Sequence, residues 1–270
     1  MKKMTLLEKA RLAEKAARAA GEMLMNHPHT PATHKAENDF VTEMDLKSEQ
    51  LIRSILLTAC PEDSFYGEEG GGSENAKSRW IVDPIDGTFN FFKGQLLYTV
   101  SIGYEENGEL VVGCVYCPPT NELWLGVKGE GAYLNGERIY VSDQSNPRES
   151  LLQMSFCHRV DWANDYVMAR MHALSRAYSD MRRSGSAAYD LCSIASGRSE
   201  GFFELCLHIY DIAAGVVILR EAGGMVSGWR DGEDCLVSGN VVASNGKIHE
   251  HLRGMLISGD TSALDKYNPI

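Results

Sequence analysis

No stretch of the sequence approaches the roughly 18 consecutive apolar residues that cross a bilayer as a helix, so no membrane span is expected. A secretory leader is not expected either. Met1-Lys2-Lys3 opens into Leu6-Leu7, but Glu8 breaks the apolar region such a leader needs. Positive charge is in short supply. Against 37 Asp and Glu stand 26 Lys and Arg, a formal net charge of −11. That balance argues against bulk nucleic-acid binding through counterion release. The spacing of a disulfide framework is missing too. The seven cysteines are odd in number and scattered, so a reduced, cytoplasmic chain is expected. Cys114-Val-Tyr-Cys117 is a CxxC, yet no second CxxC completes a zinc site, and it runs into Pro118-Pro119 rather than a helix. It reads as structural. No Asp-x-Asp-x-Asp-Gly loop is present, which weighs against a calcium-binding module. Gly129-Glu130-Gly131 lacks the third glycine and the following helix of a dinucleotide site. There is no internal repeat and no low-complexity tract. What remains is a 270-residue chain, 44% apolar and 23% charged, with an ordinary globular composition. That length buries one large core or two smaller ones.

Local patterns give an order of elements. Thr5-Leu6-Leu7-Glu8 is a capping box, followed by apolar residues at helical spacing from Leu6 to Leu24. A second helix is expected from about Thr42 to Thr58, stopped by Cys60-Pro61. Ser64 to Gly67 reads as a short strand, Glu68 to Gly72 as a mobile loop, and Trp80 to Asp83 as a buried strand broken by Pro84. From Tyr98 to Ile139 the period becomes two, with Asn107-Gly108 and Asn135-Gly136 as hairpin turns. Polar Ser142 to Glu149, with Pro147, marks the expected boundary between an N-terminal α+β part (1–145) and a C-terminal α/β part (146–270). Beyond it strands and helices alternate, as in an α/β layer.

Three segments carry chemistry. In Asp83-Pro84-Ile85-Asp86-Gly87-Thr88 two carboxylates stand three apart at the end of a buried strand, beside a segment able to start a helix. Helix N-termini favour anions. Two acids at that point would repel a phosphate unless a cation lay between them. The plain alternative is a turn with an Asp cap. In Gly67-Glu68-Glu69-Gly70 adjacent side chains diverge, so one glutamate is expected to face the aspartates; alone, the pair reads as solvated charge. In Tyr210-Asp211-Ile212-Ala213-Ala214-Gly215 the aspartate suits a helix N-cap, and the small residues allow close packing. Asp45, Glu68, Glu69, Asp83, Asp86 and Asp211 together carry six negative charges, which three divalent cations would neutralise. Raised carboxylate pKa values are expected without metal. An all-oxygen donor set favours Mg²⁺ or Mn²⁺ over Zn²⁺.

Trp80-Ile-Val-Asp-Pro-Ile-Asp-Gly-Thr-Phe-Asn-Phe91 resembles the first signature of the inositol monophosphatase family. Asp211 to Gly215, ending in Glu221-Ala-Gly-Gly224, resembles the second. Gly67-Glu68-Glu69 and Thr42-Glu43-Met44-Asp45 fall in the family's order. The resemblance covers nearly the whole chain and implies a mixed α/β, layered αβαβα fold and a homodimer. It also implies lithium-sensitive, Mg²⁺-dependent hydrolysis of phosphate monoesters with two or three ions per subunit. Carried over, a first metal takes Glu68, Asp83 and the Ile85 carbonyl, a second takes Asp83, Asp86 and Asp211, and a looser third uses Glu68. Thr88 and Asp45 orient the attacking water, with Glu68 as a proton acceptor. Gly87 and Thr88 supply backbone donors to phosphate. Gly185, Ser186, Ala187 and Glu204 meet the hydroxyl side of the substrate.

The leading substrate is inositol 1-phosphate or a related phosphorylated polyol or sugar. Fructose 1,6-bisphosphate and 3′-phosphoadenosine 5′-phosphate are the alternatives, disfavoured by Glu204 and by Phe89-Asn90 respectively. Some bacterial relatives act in ribosomal RNA transcription, so a binding role on the same fold is the alternative from another class. The complete ligand set favours catalysis. Two positions depart from the family pattern. Tyr210 replaces the usual tryptophan before Asp211, and a lysine expected near the third metal aligns with His34, beside Lys35.

Overall fold

The computed structural model describes residues 4–28, 30–36, 39–73, 76–157 and 160–266. The chain begins with helix α1 (Leu6–Met25), hairpin β1 (Ala32–Ala36) and β2 (Asp39–Thr42), and helix α2 (Glu43–Ala59). Strands β3 (Ser64–Gly67), β4 (Gly71–Gly72) and β5 (Ser78–Asp86) precede a six-residue helix α3 (Thr88–Lys93). A meander follows: β6 (Thr99–Glu106), β7 (Glu109–Cys117), β8 (Glu122–Val127), β9 (Gly131–Leu134) and β10 (Glu137–Arg138). The C-terminal part runs β11 (Leu151–Met154), α4 (Asp161–Ala177), β12 (Asp180–Arg182), α5 (Ala187–Ala195), β13 (Gly201–Glu204) and α6 (Ile209–Glu221). It closes with β14 (Met225–Ser227), α7 (Cys235–Ser238), β15 (Val241–Ser244) and α8 (His249–Leu256).

Two larger sheets organise these elements. One has eight strands in the order β10-β9-β8-β7-β6-β5-β3-β4, antiparallel except for β3 beside β5. The other has five, β12-β11-β13-β15-β14, with the first three parallel. Helices α1 and α2 cover the outer face of the large sheet. Helices α5 and α6 fill the space between the sheets, and α4 and α8 cover the outer face of the small one. This is the expected αβαβα layering. The capping box Thr5–Glu8 starts α1, and Thr42 with Asp45 forms a second box at the start of α2. Asn107 and Asn135 adopt the left-handed conformation, each followed by a positive-φ glycine, as two-residue hairpin turns require.

Several details differ from the sequence pattern. Glu68 to Gly72 is not an open loop: Gly72 pairs with Tyr66, and the Glu49 carboxylate accepts from the Glu69 and Gly70 N–H groups at 2.8 and 2.9 Å. Pro84 does not end β5, which continues to Asp86 through a shift in register. Ser142–Glu149 runs between the sheets, pinned by Glu200, which accepts from Ser142 Oγ, and by Asn245, which donates to the Ser142 and Gln144 carbonyls. The apolar cluster between the sheets draws on both sides of this segment, from Ile81 to Ala243.

Helix α6 lies unusually close to the large sheet because three glycines form a row beneath it. Gly103, Gly113 and Gly126 are register partners on β6, β7 and β8. A Cβ on Gly113 would stand 2.2 Å from the Ala214 carbonyl oxygen, and one on Gly126 2.8 Å from Ile218 Cα. Both obstacles are backbone atoms, so the helix itself would have to move. Gly113→Ala is therefore expected to cost about 1–3 kcal/mol, the usual range for overpacking. Gly254→Ala, in α8 with nothing within 4 Å of the added Cβ, should instead stabilise by about 0.5–1 kcal/mol. Urea midpoints of the two variants against the parent decide both.

Candidate metal and phosphate site

The register shift in β5 creates the site. Asp83 pairs with Ser101 and Asp86 with Thr99, so three steps on β5 oppose two on β6. In a regular strand residues three apart point to opposite faces. The extra residue restores the phase and turns both carboxylates the same way. Pro84 sits inside this bulge, where its missing N–H breaks no ladder bond. Across from it, α6 begins at Ile209, two residues earlier than expected. Asp211 is consequently not the N-cap. It occupies the third helical position, where its Oδ2 accepts from the His208 N–H at 2.6 Å. One carboxylate oxygen from each of Asp83, Asp86 and Asp211 lies within 4.8 Å of the others.

The three acids stand in a cleft of about 200 Å³. Glu68, Ile85, Gly87, Thr88, Gly185, Ser186, Ala187 and Glu204 also line it. Of the expected site residues only Asp45 lies behind the wall. It is fully buried and reaches the cleft through Thr88, whose Oγ1 lies 3.0 Å from both Asp45 Oδ1 and the Ile85 carbonyl. Asp45 Oδ2 accepts from the Thr42 N–H and hydroxyl, both at 2.7 Å, which fixes its orientation. Glu68 faces the cleft and Glu69 does not, as diverging neighbours should. The Ser186 hydroxyl donates to Asp86 at 2.6 Å, so it holds the acid rather than facing a ligand. The Ala188 N–H, at the start of α5, donates to the same oxygen at 2.7 Å. His34 and Lys35 belong to β1, but their side chains lie outside the described residues.

Gly87 shows why this turn needs glycine. Its φ is +94°, and a Cβ would approach the Gly185 carbonyl oxygen to 3.0 Å. The two walls are tied by Asn90, whose amide donates to the Leu97 and Ser184 carbonyls. Asn90, Glu49, Ser155 and Asp190 have parts in or around the site that the motifs did not reveal. Asp190 is 1% exposed, lines the cleft, and its Oδ1 has no hydrogen-bond partner. A single acid on the otherwise apolar helix α5 was the available signal. The Arg182-Arg183 pair splits. Arg182 pairs with Asp180 at the surface, while Arg183 lines the cleft, its Nε 3.4 Å from Ser155 Oγ. Tyr210 stacks on His208, with ring centroids 5.0 Å apart. Among the described residues no Lys or Arg pairs with Asp83 or Asp86.

The electrostatics follow from this crowding. Burial, then Glu68, Asp86, Asp211 and Asp45, push the Asp83 carboxyl well above its ordinary range. Burial and Asp211 raise Asp86 to about 7, against the opposing hydrogen bonds from Ser186 and the start of α5. Burial raises Glu204 strongly, with Asp211, Asp190 and Asp86 adding to it. An uncompensated cluster of hard oxygen donors fits a divalent cation of the Mg²⁺ type. It fits a soft metal poorly.

The direction of these shifts sets a pH dependence. Asp86 titrates near 7 when folded and near ~3.9 when unfolded. Between those values the folded chain binds the extra proton, so metal-free stability falls as pH rises from about 4 through 7. Asp86→Asn keeps an acceptor for Ser186 and Ala188 but removes the charge. With chelator present, this variant should melt above the parent at pH 8, and the gap should close by pH 5. Equal melting temperatures at pH 8 would contradict the burial of an anion there.

Similarity to known proteins agrees with this geometry. The family model described as "Inositol monophosphatase family" matches residues 6–258. The chain is 39% identical over 249 residues to the Nus factor SuhB of Vibrio cholerae, covering 90% of this chain and 93% of that protein. Among solved structures, the extragenic suppressor protein suhB of Bartonella henselae superposes with a TM-score of 0.88 at 33% identity, covering 93% of this chain and 98% of that one. Inositol monophosphatase from Anabaena gives 0.83 at 33% identity, covering 99% of both chains. No helix among the described residues is long and apolar enough to cross a membrane. Matched by that family model from the first turn of α1 to residue 258, the chain belongs to the inositol monophosphatase family.

Proposed function

We propose that this protein is a Mg²⁺-dependent phosphomonoesterase whose best substrate is inositol 1-phosphate or a closely related polyol phosphate. The observation that carries the reading is the convergence of Asp83, Asp86 and Asp211 beside a threonine hydroxyl oriented by a buried carboxylate. Glu68, Asp83, the Ile85 carbonyl, Asp86 and Asp211 would hold two or three Mg²⁺, with Mn²⁺ a substitute. When bound, the metal supplies charge neutralisation at the phosphate and a more acidic water.

The remaining steps belong to the chain. Thr88 donates its one hydroxyl proton to Asp45, which leaves its lone pairs to accept from the attacking water. That aims the water's own lone pair at phosphorus, opposite the leaving oxygen. Glu68, on the same wall, takes the water's proton. The backbone N–H groups of Gly87 and Thr88, at the start of α3, face the phosphate, because the first helical N–H groups have no partner within the helix. Asp211 holds the water that protonates the departing alkoxide. No side-chain nucleophile is needed, so no phosphoenzyme forms.

Glu204 and Asp190 make the far end of the cleft acidic, and the charges of Asp211 and Asp86 reach it too. Hydroxyl groups suit that end better than a second phosphate, which supports a polyol over a bisphosphate. Arg183 is the one basic side chain in the described wall. The homodimer and lithium inhibition belong to this proposal and rest on family likeness, while the cytoplasmic location rests on the odd, scattered cysteines. The division of labour between residues 1–145, with most of the ligands, and 146–270, with Glu204 and Asp211, belongs to it too and rests on the polar segment from Ser142 to Glu149.

A second reading rests on the name Nus factor carried by relatives 36–39% identical to this chain. A binding role in transcription is compatible with an intact hydrolytic site. Those relatives also leave the expectation against nucleic-acid partners without support.

Phosphate release from inositol 1-phosphate, fructose 1,6-bisphosphate and 3′-phosphoadenosine 5′-phosphate, with Mg²⁺ and with chelator, tests the reading. Mg²⁺-dependent turnover led by inositol 1-phosphate is expected. Thr88→Ala should lower kcat about 100-fold while KM changes little. A bisphosphate in the lead would move the substrate assignment. No turnover of any ester with Mg²⁺ or Mn²⁺ would leave the binding role.

A further inference from the structure

One turn of α2 reaches three separate pieces of the cleft wall. Asp45, Ser48 and Glu49 share a helix face and are 0%, 0% and 5% exposed. Asp45 accepts from the Thr88 hydroxyl at 3.0 Å. Ser48 Oγ donates to the Pro84 carbonyl at 3.1 Å, inside the bulge between Asp83 and Asp86. Glu49 Oε2 accepts from the Glu69 N–H at 2.8 Å, and its Oε1 from the Gly70 N–H at 2.9 Å. Only the first of these contacts enters the hydrolytic steps.

The Glu49 contacts fix the backbone around Glu68. A peptide unit is planar, so holding its N–H orients the whole plane. The Glu68 N–H donates to the Val82 carbonyl at 3.1 Å, which pins the plane before Glu68. Glu49 pins the plane after it, through the Glu69 N–H. With both planes set, φ and ψ of Glu68 are set, and its side chain is delivered to the cleft. Among side chains only a carboxylate presents two hydrogen-free oxygens to two successive N–H groups. Glycines make room for it. A Cβ on Gly67 would stand 2.2 Å from Glu49 Oε2, and one on Gly70 2.7 Å from Oε1.

We propose that Glu49 is the positioning residue for Glu68: it holds that carboxylate where a divalent cation in the cleft is bound, without touching the cation itself. This rests on the reading of Glu68 as a cation ligand. Removing a group that orients a ligand typically costs about 10–100-fold in metal affinity. Glu49→Gln keeps the size and one acceptor but turns an amino group toward the other N–H. Asp86 has its own ties, to Ser186 and the start of α5, and should stay in place.

The test titrates the metal-free, full-length protein with Mn²⁺ and reads the free ion by paramagnetic resonance. Glu49→Gln should raise the Mn²⁺ concentration for half-filling about tenfold. Glu68→Gln should raise it at least as much, and the double variant should match Glu68→Gln alone. That non-additivity separates positioning from a plain loss of charge, whose effects would multiply. Gly70→Ala is the second variant. Its Cβ presses on Glu49 Oε1 while the next neighbours stay 3.9 Å away, so Mn²⁺ affinity should fall with no charge removed. Urea midpoints taken with chelator follow folding separately; a purely structural tie would lower the midpoint and leave Mn²⁺ affinity unchanged. Parent-like Mn²⁺ binding in Glu49→Gln and Gly70→Ala, losses that multiply in the double variant, or no Mn²⁺ binding by the parent would overturn the proposal. A parent that binds Mn²⁺ but releases no phosphate would count against the phosphatase reading alone.

Discussion

The close approach of helix α6 to the large sheet is the constraint on which the rest of the molecule depends. Asp211 comes from a helix that follows β13 of the small sheet, while Asp83 and Asp86 come from a strand of the large one. They meet only if α6 descends onto β6, β7 and β8 to backbone contact. The row Gly103, Gly113, Gly126 removes the side chains that would hold it away, and Ala213 and Ala214 do the same from the helix. A row of alanines would lift the helix and carry Asp211 with it. Tight packing and ligand convergence are therefore one requirement. The helix is buried from Ile212 to Leu219, so it has no freedom to recover the position by sliding.

The site spends stability to concentrate charge. Asp83 and Asp86 are buried, mutually repulsive and, among the described residues, without a basic partner. Hydrogen bonds to Asp86 from Ser186 and the start of α5 offset part of the cost. They do not cancel it, since burial and Asp211 still raise the carboxyl to about 7. The same bonds couple the halves of the chain: Asp86 ends β5 of the large sheet, and Ser186 caps the helix between the sheets. Asn90 adds a second tie from α3 to the Ser184 carbonyl. A cation held here would stabilise the acid cluster, the seam and the fold at once.

What the sequence disclosed, and what it withheld, divides along the range of the interactions. Thr5 with Glu8 and the Asn-Gly turns are local devices, and their helices and hairpins stand where the pattern puts them. Asp83-Pro-Ile-Asp86-Gly-Thr88 was readable as a cluster because its residues are neighbours in the chain. The pattern could not show that Pro84 sits in a bulge, because a bulge is defined by the partner strand. It could not show that Glu49, one acid on a helix surface pattern, reaches across to grip Glu69 and Gly70. Nor could it show that Gly103, Gly113 and Gly126 align, since register alone brings residues this far apart together. The pattern does not single out Asp190 either, since an acid on a helix is usually solvated.

The division of the cleft between two sheets separates two kinds of selection. The chemistry end is over-determined: the bulge, the Gly87 turn, the Thr42–Asp45–Thr88 chain and the glycine row each fix an atom, and each fails if one residue changes. The far end carries Glu204 at the last position of β13, with Ser155, Cys157 and Cys206 on the loops that leave β11 and β13. Loops at strand ends tolerate substitution better than a strand between two neighbours. Ligand preference is therefore free to vary at that end while the acid cluster stays constant. That separation also fits a fold whose relatives carry both the name inositol monophosphatase and the name Nus factor.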